Sequence, residues 1–140
     1  MSPSKLKQVV FVQNSSHLAG VQKSLSRILA QSSKASFSSL LLTGSEGWLT
    51  RFCSEHDVPW VHLDFPSPRS FRDLWLGGTT RFAKKVARKT AHHILPSHDL
   101  IVHANDHPDS LIGLEVAKIL NARSYLTLRT PGMSRRDFYK

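Results

Sequence analysis

The chain has one cysteine, Cys53, among its 140 residues, so no disulfide can form within it, and its thiol usage fits a reducing compartment. It has few acidic residues: 10 Asp and Glu stand against 19 Lys and Arg, leaving a net charge of +9. No apolar run approaches the roughly 18 residues a membrane-spanning helix needs. Met1 to Gln8 leads into only a short apolar stretch rather than the longer hydrophobic region and small-residue cleavage site of a secretory signal. The expectation is a cytoplasmic protein. There is no Ser in a G-x-S-x-G turn, which removes the nucleophile-elbow hydrolases. The first apolar run is followed by Gln13, Asn14 and Ser15, so the paired acids of a phospho-acceptor site are missing too. Hydrophobic residues at 40 % and charged residues at 21 % describe a globular chain, long enough for one domain with a true core and too short for two.

The organising stretch is Val9 to Leu29. Val9, Val10, Phe11 and Val12 form an apolar run, a polar turn follows as far as Ala19-Gly20, and Val21, Leu25, Ile28 and Leu29 then fall at i, i+4, i+7 and i+8, one stripe of a helix. This is strand, loop, helix. Gly20 allows a tight turn, and the free N–H groups of the first helical turn favour an anion above the strand's carboxyl end. A plain connection satisfies the same pattern.

The alternation continues. Phe37 to Thr43 reads as a second strand after a Ser-rich loop, Glu46 to His56 as a helix, and Val58 to Leu63 as a third strand. Trp48, Leu49, Phe52, Cys53 and His56 have helical spacing, which makes Cys53 a small buried apolar group. Arg69 to Leu95 reads as a long helical region interrupted at Gly77-Gly78, Asp99 to Asn105 as the fourth strand, and Ser110 to Leu120 as a helix stopped by Asn121 in the left-handed conformation. Tyr125 to Thr130 supplies a fifth strand. The fold class expected is α/β: a Rossmann-like, doubly wound parallel sheet of about five strands in the order 3-2-1-4-5, helices on both faces and right-handed crossovers between strands.

In such sheets ligands bind outside the carboxyl ends of the strands where the order reverses, here between the first and fourth. One rim then collects Ser16, His17, Gly20, Asn105, Asp106, His107 and Arg129 as substrate-binding candidates. Arg129 suits a phosphate or carboxylate, and His17 or His107 can exchange protons near neutral pH. His103, Asp106 and His107 are close in sequence, but a strand end does not hold ligands at the i, i+4 spacing of zinc helices and no further ligand group stands out, so no metal site is expected.

The positive charge is not scattered. Arg81, Lys84, Lys85, Arg88 and Lys89 recur at i, i+3, i+4, i+7 and i+8, while Phe82, Ala83, Val86, Ala87, Thr90 and Ile94 occupy the other side. Such a face suits an anionic bilayer, a phosphate backbone or plain solvent. Nucleic acid has the least support, because no aromatic residues are interleaved with the charges for base stacking.

Three places together resemble the N-terminal half of a GT-B glycosyltransferase, most nearly the large retaining family 4. Ala19-Gly20-Val21-Gln22 is similar to the Gly-Gly-x-Glu turn that opens the family's first helix. Ile101-Val102-His103-Ala104-Asn105 is similar to its "VVHAH" strand end. Asn121-Ala122-Arg123, followed by Tyr125 to Thr130, resembles the "GVP" turn and the strand that usually ends in His-Thr or His-Gly. Ala19, Gln22, Asn105 and Arg129 depart from those patterns, and Arg129 replaces a functionally important His. The resemblance implies that residues 1–140 form a single Rossmann-like domain, the acceptor-side half of an enzyme moving a sugar from a nucleotide-sugar donor to a glycan or lipid-linked acceptor. It also implies basic helices that touch the membrane from the cytoplasmic side. The donor-binding C-terminal domain is absent, so the isolated chain should be inactive, and no cofactor is expected. The alternative is a stand-alone, non-catalytic α/β binding or regulatory module whose basic helix contacts a partner or membrane.

Overall fold

The computed structural model describes residues 7–32, 34–63, 78–95, 99–105 and 107–127. Along these the elements alternate as expected: β1 (Lys7–Gln13), α1 (Gly20–Ser32), β2 (Phe37–Thr43), α2 (Trp48–Glu55), β3 (Trp60–His62), α3 (Gly78–Ala91), β4 (Asp99–Ala104), α4 (His107–Ile119) and β5 (Arg123–Leu126). All pairings are parallel and the order is β3-β2-β1-β4-β5, the order read from the sequence.

The two sheet faces follow from strand alternation. Val10 pairs in register with Leu40 and Val102, and these point into a cluster with Val12, Leu42, Val86, Ile112 and Val116 beneath α3 and α4. The neighbouring pair Phe11 and Leu41 points the other way, into a cluster with Leu25, Leu29, Leu49, Cys53 and Val58 beneath α1 and α2. Two packed layers therefore flank β1 and β2, whose central residues from Val10 to Val12 and Leu40 to Leu42 are buried.

Several boundaries differ from the sequence expectation, each for a local reason. The buried side of α1 is not the apolar stripe alone: Leu25 and Leu29 are buried with Gln22, Ser26 and Ser32, while Val21 and Ile28 are only half-buried. The serines are tolerated because they are bonded, Ser26 Oγ to the Lys23 carbonyl at 2.9 Å and Ser32 Oγ to Ser39 Oγ at 2.7 Å. α2 begins at Trp48, with Gly47 at its N-cap donating its N–H to Thr50 Oγ1 at 2.9 Å. β3 is shorter than the expected span, yet its bonding continues on both sides, with Leu41 N–H donating to Pro59 and Leu63 N–H to Thr43. α4 starts at His107, earlier than Ser110, with Pro108 in its first turn, where a missing N–H costs no helical bond. Asn121 is left-handed at φ 51°, and Ala122 N–H closes back on the Ala117 carbonyl at 2.9 Å, a Schellman closure. That early stop lets β5 begin at Arg123, paired with Ile101, where Arg123 and Asp99 form an exposed ion pair. The expected strand end at residues 128–130 and the first part of the helical region, residues 69–77, lie outside the described residues.

At the opposite edge of the sheet from the strands' carboxyl ends, Gln8 clamps the approach to β4. Its Nε2 donates to the His93 carbonyl and its Oε1 accepts from Leu95 N–H, both at 2.9 Å.

Candidate functional site: the rim above the strand ends

The carboxyl ends of β1, β2 and β4 are tied into one rim. Ser16, three residues past β1, is completely buried. Its Oγ shares a hydrogen bond with Thr43 Oγ1 at 2.8 Å, its N–H donates to Ser45 Oγ at 3.0 Å, and its carbonyl accepts Leu49 N–H at 3.0 Å. Gly44 N–H reaches the Asn14 carbonyl at 3.0 Å. These contacts bind the β1–α1 loop to the start of α2, so the hydroxyl expected to meet substrate is engaged within the chain. The close approach falls at Gly47, where a Cβ would lie 3.0 Å from the Ser16 carbonyl oxygen. Gly20 has no atom within 4 Å of such a Cβ, so a side chain would fit there, and the tight-turn role expected of Gly20 is not enforced by space.

His17 is exposed, with its N–H 3.3 Å from Ser15 Oγ. α1 opens without an acidic residue in its first turn, and Lys23 N–H closes on the carbonyl of Ala19, a residue with no capping side chain. The partial positive charge of this helix end is therefore not offset by a carboxylate of its own first turn. Gln22 is buried, its Nε2 donating to the Ser15 carbonyl at 3.1 Å while Oε1 has no donor.

Asn105, directly after β4, is completely buried. Its N–H donates to the Val12 carbonyl at 3.1 Å, placing it beside the end of β1, and its Nδ2 donates to Gln13 Oε1 at 2.6 Å. Its Oδ1 has no donor. A buried acceptor without a protein donor costs about 1–3 kcal/mol unless a water meets it, while the two bonds Asn105 does make tie the ends of β4 and β1 together. His107 opens α4, whereas Asp106 and Arg129 lie outside the described residues. The structure thus brings Ser16, Gly20 and Asn105 to one rim and adds Gln13, Gln22, Thr43 and Gly47, which were not candidates. For Gln13 the available signal was a polar residue closing an apolar strand at the predicted order reversal.

A separate apolar groove of about 370 Å³ lies on the α1 side of the sheet, lined among others by Val9, Phe11, Ile28, Ile101, His103 and Tyr125. His103 meets Phe11 edge-on at 5.3 Å, and its Nε2 is 2.7 Å from Thr127 Oγ1. Among the described residues no group of three or more His, Cys, Asp or Glu could hold a metal, and no helix is long and apolar enough to cross a membrane. On α3, Arg81, Lys84, Lys85, Arg88 and Lys89 are all exposed, while Ala83, Val86, Ala87 and Thr90 are buried, as the spacing required.

No protein-family model matches the sequence, and no curated protein matches it. Among solved structures, Anabaena Alr3699/HepE, crystallised in complex with UDP and glucose, is similar with a TM-score of 0.58 and 18 % identity, over 86 % of this chain and 29 % of that one. A glycosyltransferase from Rickettsia africae ESF-5 is similar with a TM-score of 0.67 and 16 % identity, over 87 % of this chain and 29 % of that one. HepE is also known with UDP-glucose. The chain spans less than a third of the length of these proteins, and what it shares with them is the Rossmann-like fold.

Proposed function

We propose that these 140 residues are the acceptor-side half of a GT-B glycosyltransferase of family 4 type, forming one Rossmann-like domain. The whole enzyme would move a sugar from a nucleotide-sugar donor to a glycan or lipid-linked acceptor. The observation that carries this is the order-reversal rim at the β1 and β4 ends, in a fold shared over 86 % of the chain with a protein crystallised with UDP and glucose. In this reading the open N-terminus of α1, from Gly20, faces the donor phosphates. Ser16 and His17 shape the loop beside it, Asn105, Asp106 and His107 line the cleft, and Arg129 faces the acceptor. Most donor contacts come from a further domain or subunit, so the isolated chain binds weakly and does not turn over.

The test is a titration of the ¹⁵N-labelled chain with UDP-glucose. We expect saturable shifts of the amides from Asn14 to Gln22 with a dissociation constant in the millimolar range. Absence of any rim shift at about 10 mM ligand, where even a −3 kcal/mol interaction is visible, would overturn the assignment.

The exposed basic face of α3 supports contact with the cytoplasmic surface of a membrane, and equally the second reading, a non-catalytic module held by that helix. Each basic residue near an anionic surface contributes roughly 1 kcal/mol. Reversing Lys84 and Lys85 to Glu is therefore expected to weaken co-sedimentation with phosphatidylserine-containing vesicles by more than about tenfold, with no change on pure phosphatidylcholine. Equal binding by both forms would remove the membrane role.

A further inference from the structure

We propose that the apolar groove on the α1 side of the sheet is the seat of this chain's own later segment, residues 133–139, whose Met133, Phe138 and Tyr139 cover β4 and β5 there. The proposal does not depend on the sugar-transfer reading.

The two faces of β4 and β5 are unequally covered. Val102 points to the α4 side and is completely buried with Ile112 and Val116. Its neighbour Ile101 points the other way and is only half-buried, and Tyr125, in the same groove, is 55 % exposed. On that side α1 and α2 gather around Phe11 and Leu41 of β1 and β2, which leaves the groove of about 370 Å³ open over β4 and β5. Contiguous apolar surface left open in this way marks a place that another segment covers.

The lining and the connectivity select the occupant. Among the described residues no Lys, Arg, Asp or Glu lines the groove, so what it accepts is apolar. Thr127, the last described residue, itself lines it, with Oγ1 2.7 Å from His103 Nε2 and its N–H donated to the Ala104 carbonyl at 3.1 Å. The chain therefore leaves β5 at the groove's own wall. Residues 128–140 follow, and among them Met133, Phe138 and Tyr139 are large and apolar or aromatic. Extended chain from Thr127 carries Met133 up to about 20 Å and Phe138 up to about 36 Å, against roughly 10 Å across the two strand spacings from β5 to β1. So short a tether presents the segment at an effective concentration on the order of millimolar. A second copy, repelled by its own net charge of +9, competes poorly in dilute solution. Docking would also hold the residues between, Arg129 among them, from both ends.

The test places a nitroxide on Lys140→Cys in the intact ¹⁵N-labelled chain, Cys53 being completely buried. The amide signals of Ile28, Ile101 and Tyr125 are expected to lose most of their intensity, while those of Lys84 and Lys118, exposed on α3 and α4, keep theirs. Phe138→Ser combined with Tyr139→Ser should restore the lost signals. Tyr125→Ser should do the same from the groove side, and because that position is half-exposed the rest of the spectrum should be retained. At about 1 M salt, where exposed charges are screened beyond roughly 3 Å, the broadening should persist. Weak broadening spread over the whole chain means that the segment does not dock, and broadening released by salt means that charge holds it elsewhere; either overturns the proposal. So does broadening that survives the serine variants. Broadening of the unmodified ¹⁵N-labelled chain by an unlabelled, nitroxide-bearing copy mixed with it gives the groove to a second copy and overturns it too.

Discussion

At pH 8 the thiol of Cys53 is expected to react with a disulfide reagent more than about a hundredfold slower in the folded chain than in the unfolded one, because the folded chain withholds both the thiolate and access to it. Cys53 is completely buried between α2 and the β1–β2 sheet, and burial pushes its pKa from 9.0 up to about 12. Reaction then requires opening of the α2 layer. The same shift has a consequence for stability. Below about pH 9 the thiol is neutral in both states and adds nothing. Between about 9 and 12 the unfolded chain loses this proton and the folded chain keeps it, so stability falls as pH rises, by at most about 1.4 kcal/mol per pH unit from this group. Denaturant titrations at pH 8 and pH 10 on the native chain and on Cys53→Ala isolate it from the lysines and tyrosines, since the variant lacks only the thiol's share of the loss. Rapid labelling at pH 8 without denaturant would show that α2 does not cover Cys53.

Truncating Leu41 to Ala should cost about 2–5 kcal/mol, a large part of the roughly 5–15 kcal/mol available to a domain of this size. Leu41 is completely buried and sits with Leu25, Leu29 and Leu49 under α1 and α2. Leu42→Ala should cost a similar amount by a different route, because its side chain enters the opposite layer with Val86 and Val116. Leu18, half-exposed in the β1–α1 loop, should change stability by no more than about 0.5 kcal/mol on truncation. Thermal melts of the three variants separate these expectations, and a Leu41→Ala as mild as Leu18→Ala would contradict the two-layer core.

Much of this architecture is legible in the sequence because it depends on period. The apolar runs of β1, β2 and β4 are separated by helical spacings, and that alternation implies parallel strands; the order 3-2-1-4-5 was an expectation that the strand pairings bear out. The basic face of α3 is legible for the same reason: five charges on one side require the apolar remainder on the other. What resisted was set by contacts between segments distant in the chain. The burial of Gln22 and Ser32 depends on hydrogen-bond partners in the β1–α1 loop and in β2, which no spacing within α1 reveals, whereas Ser26 is satisfied inside the helix by the Lys23 carbonyl. Gly20 was singled out for a tight turn, but the glycine that a close contact requires is Gly47, because only the folded chain places the Ser16 carbonyl over the start of α2. Asn105 was found from its place after β4, but its partner Gln13 lies 92 residues away, a pairing that the strand register alone creates. Ser16 shows the converse: its position at the rim was readable, while its commitment to Thr43 was not.

Strand β5 closes one side of the sheet. All four of its residues are exposed, and one of its sides carries backbone N–H and C=O groups facing no further strand among the described residues, a template for pairing with a like strand. Tyr125 and Leu126 add apolar surface beside it. Mutual repulsion between molecules of charge +9 opposes such pairing, and it is screened over about 8 Å at physiological ionic strength. Salt is therefore expected to raise the tendency of these edges to pair, and light scattering of the chain in dilute and in concentrated salt checks it.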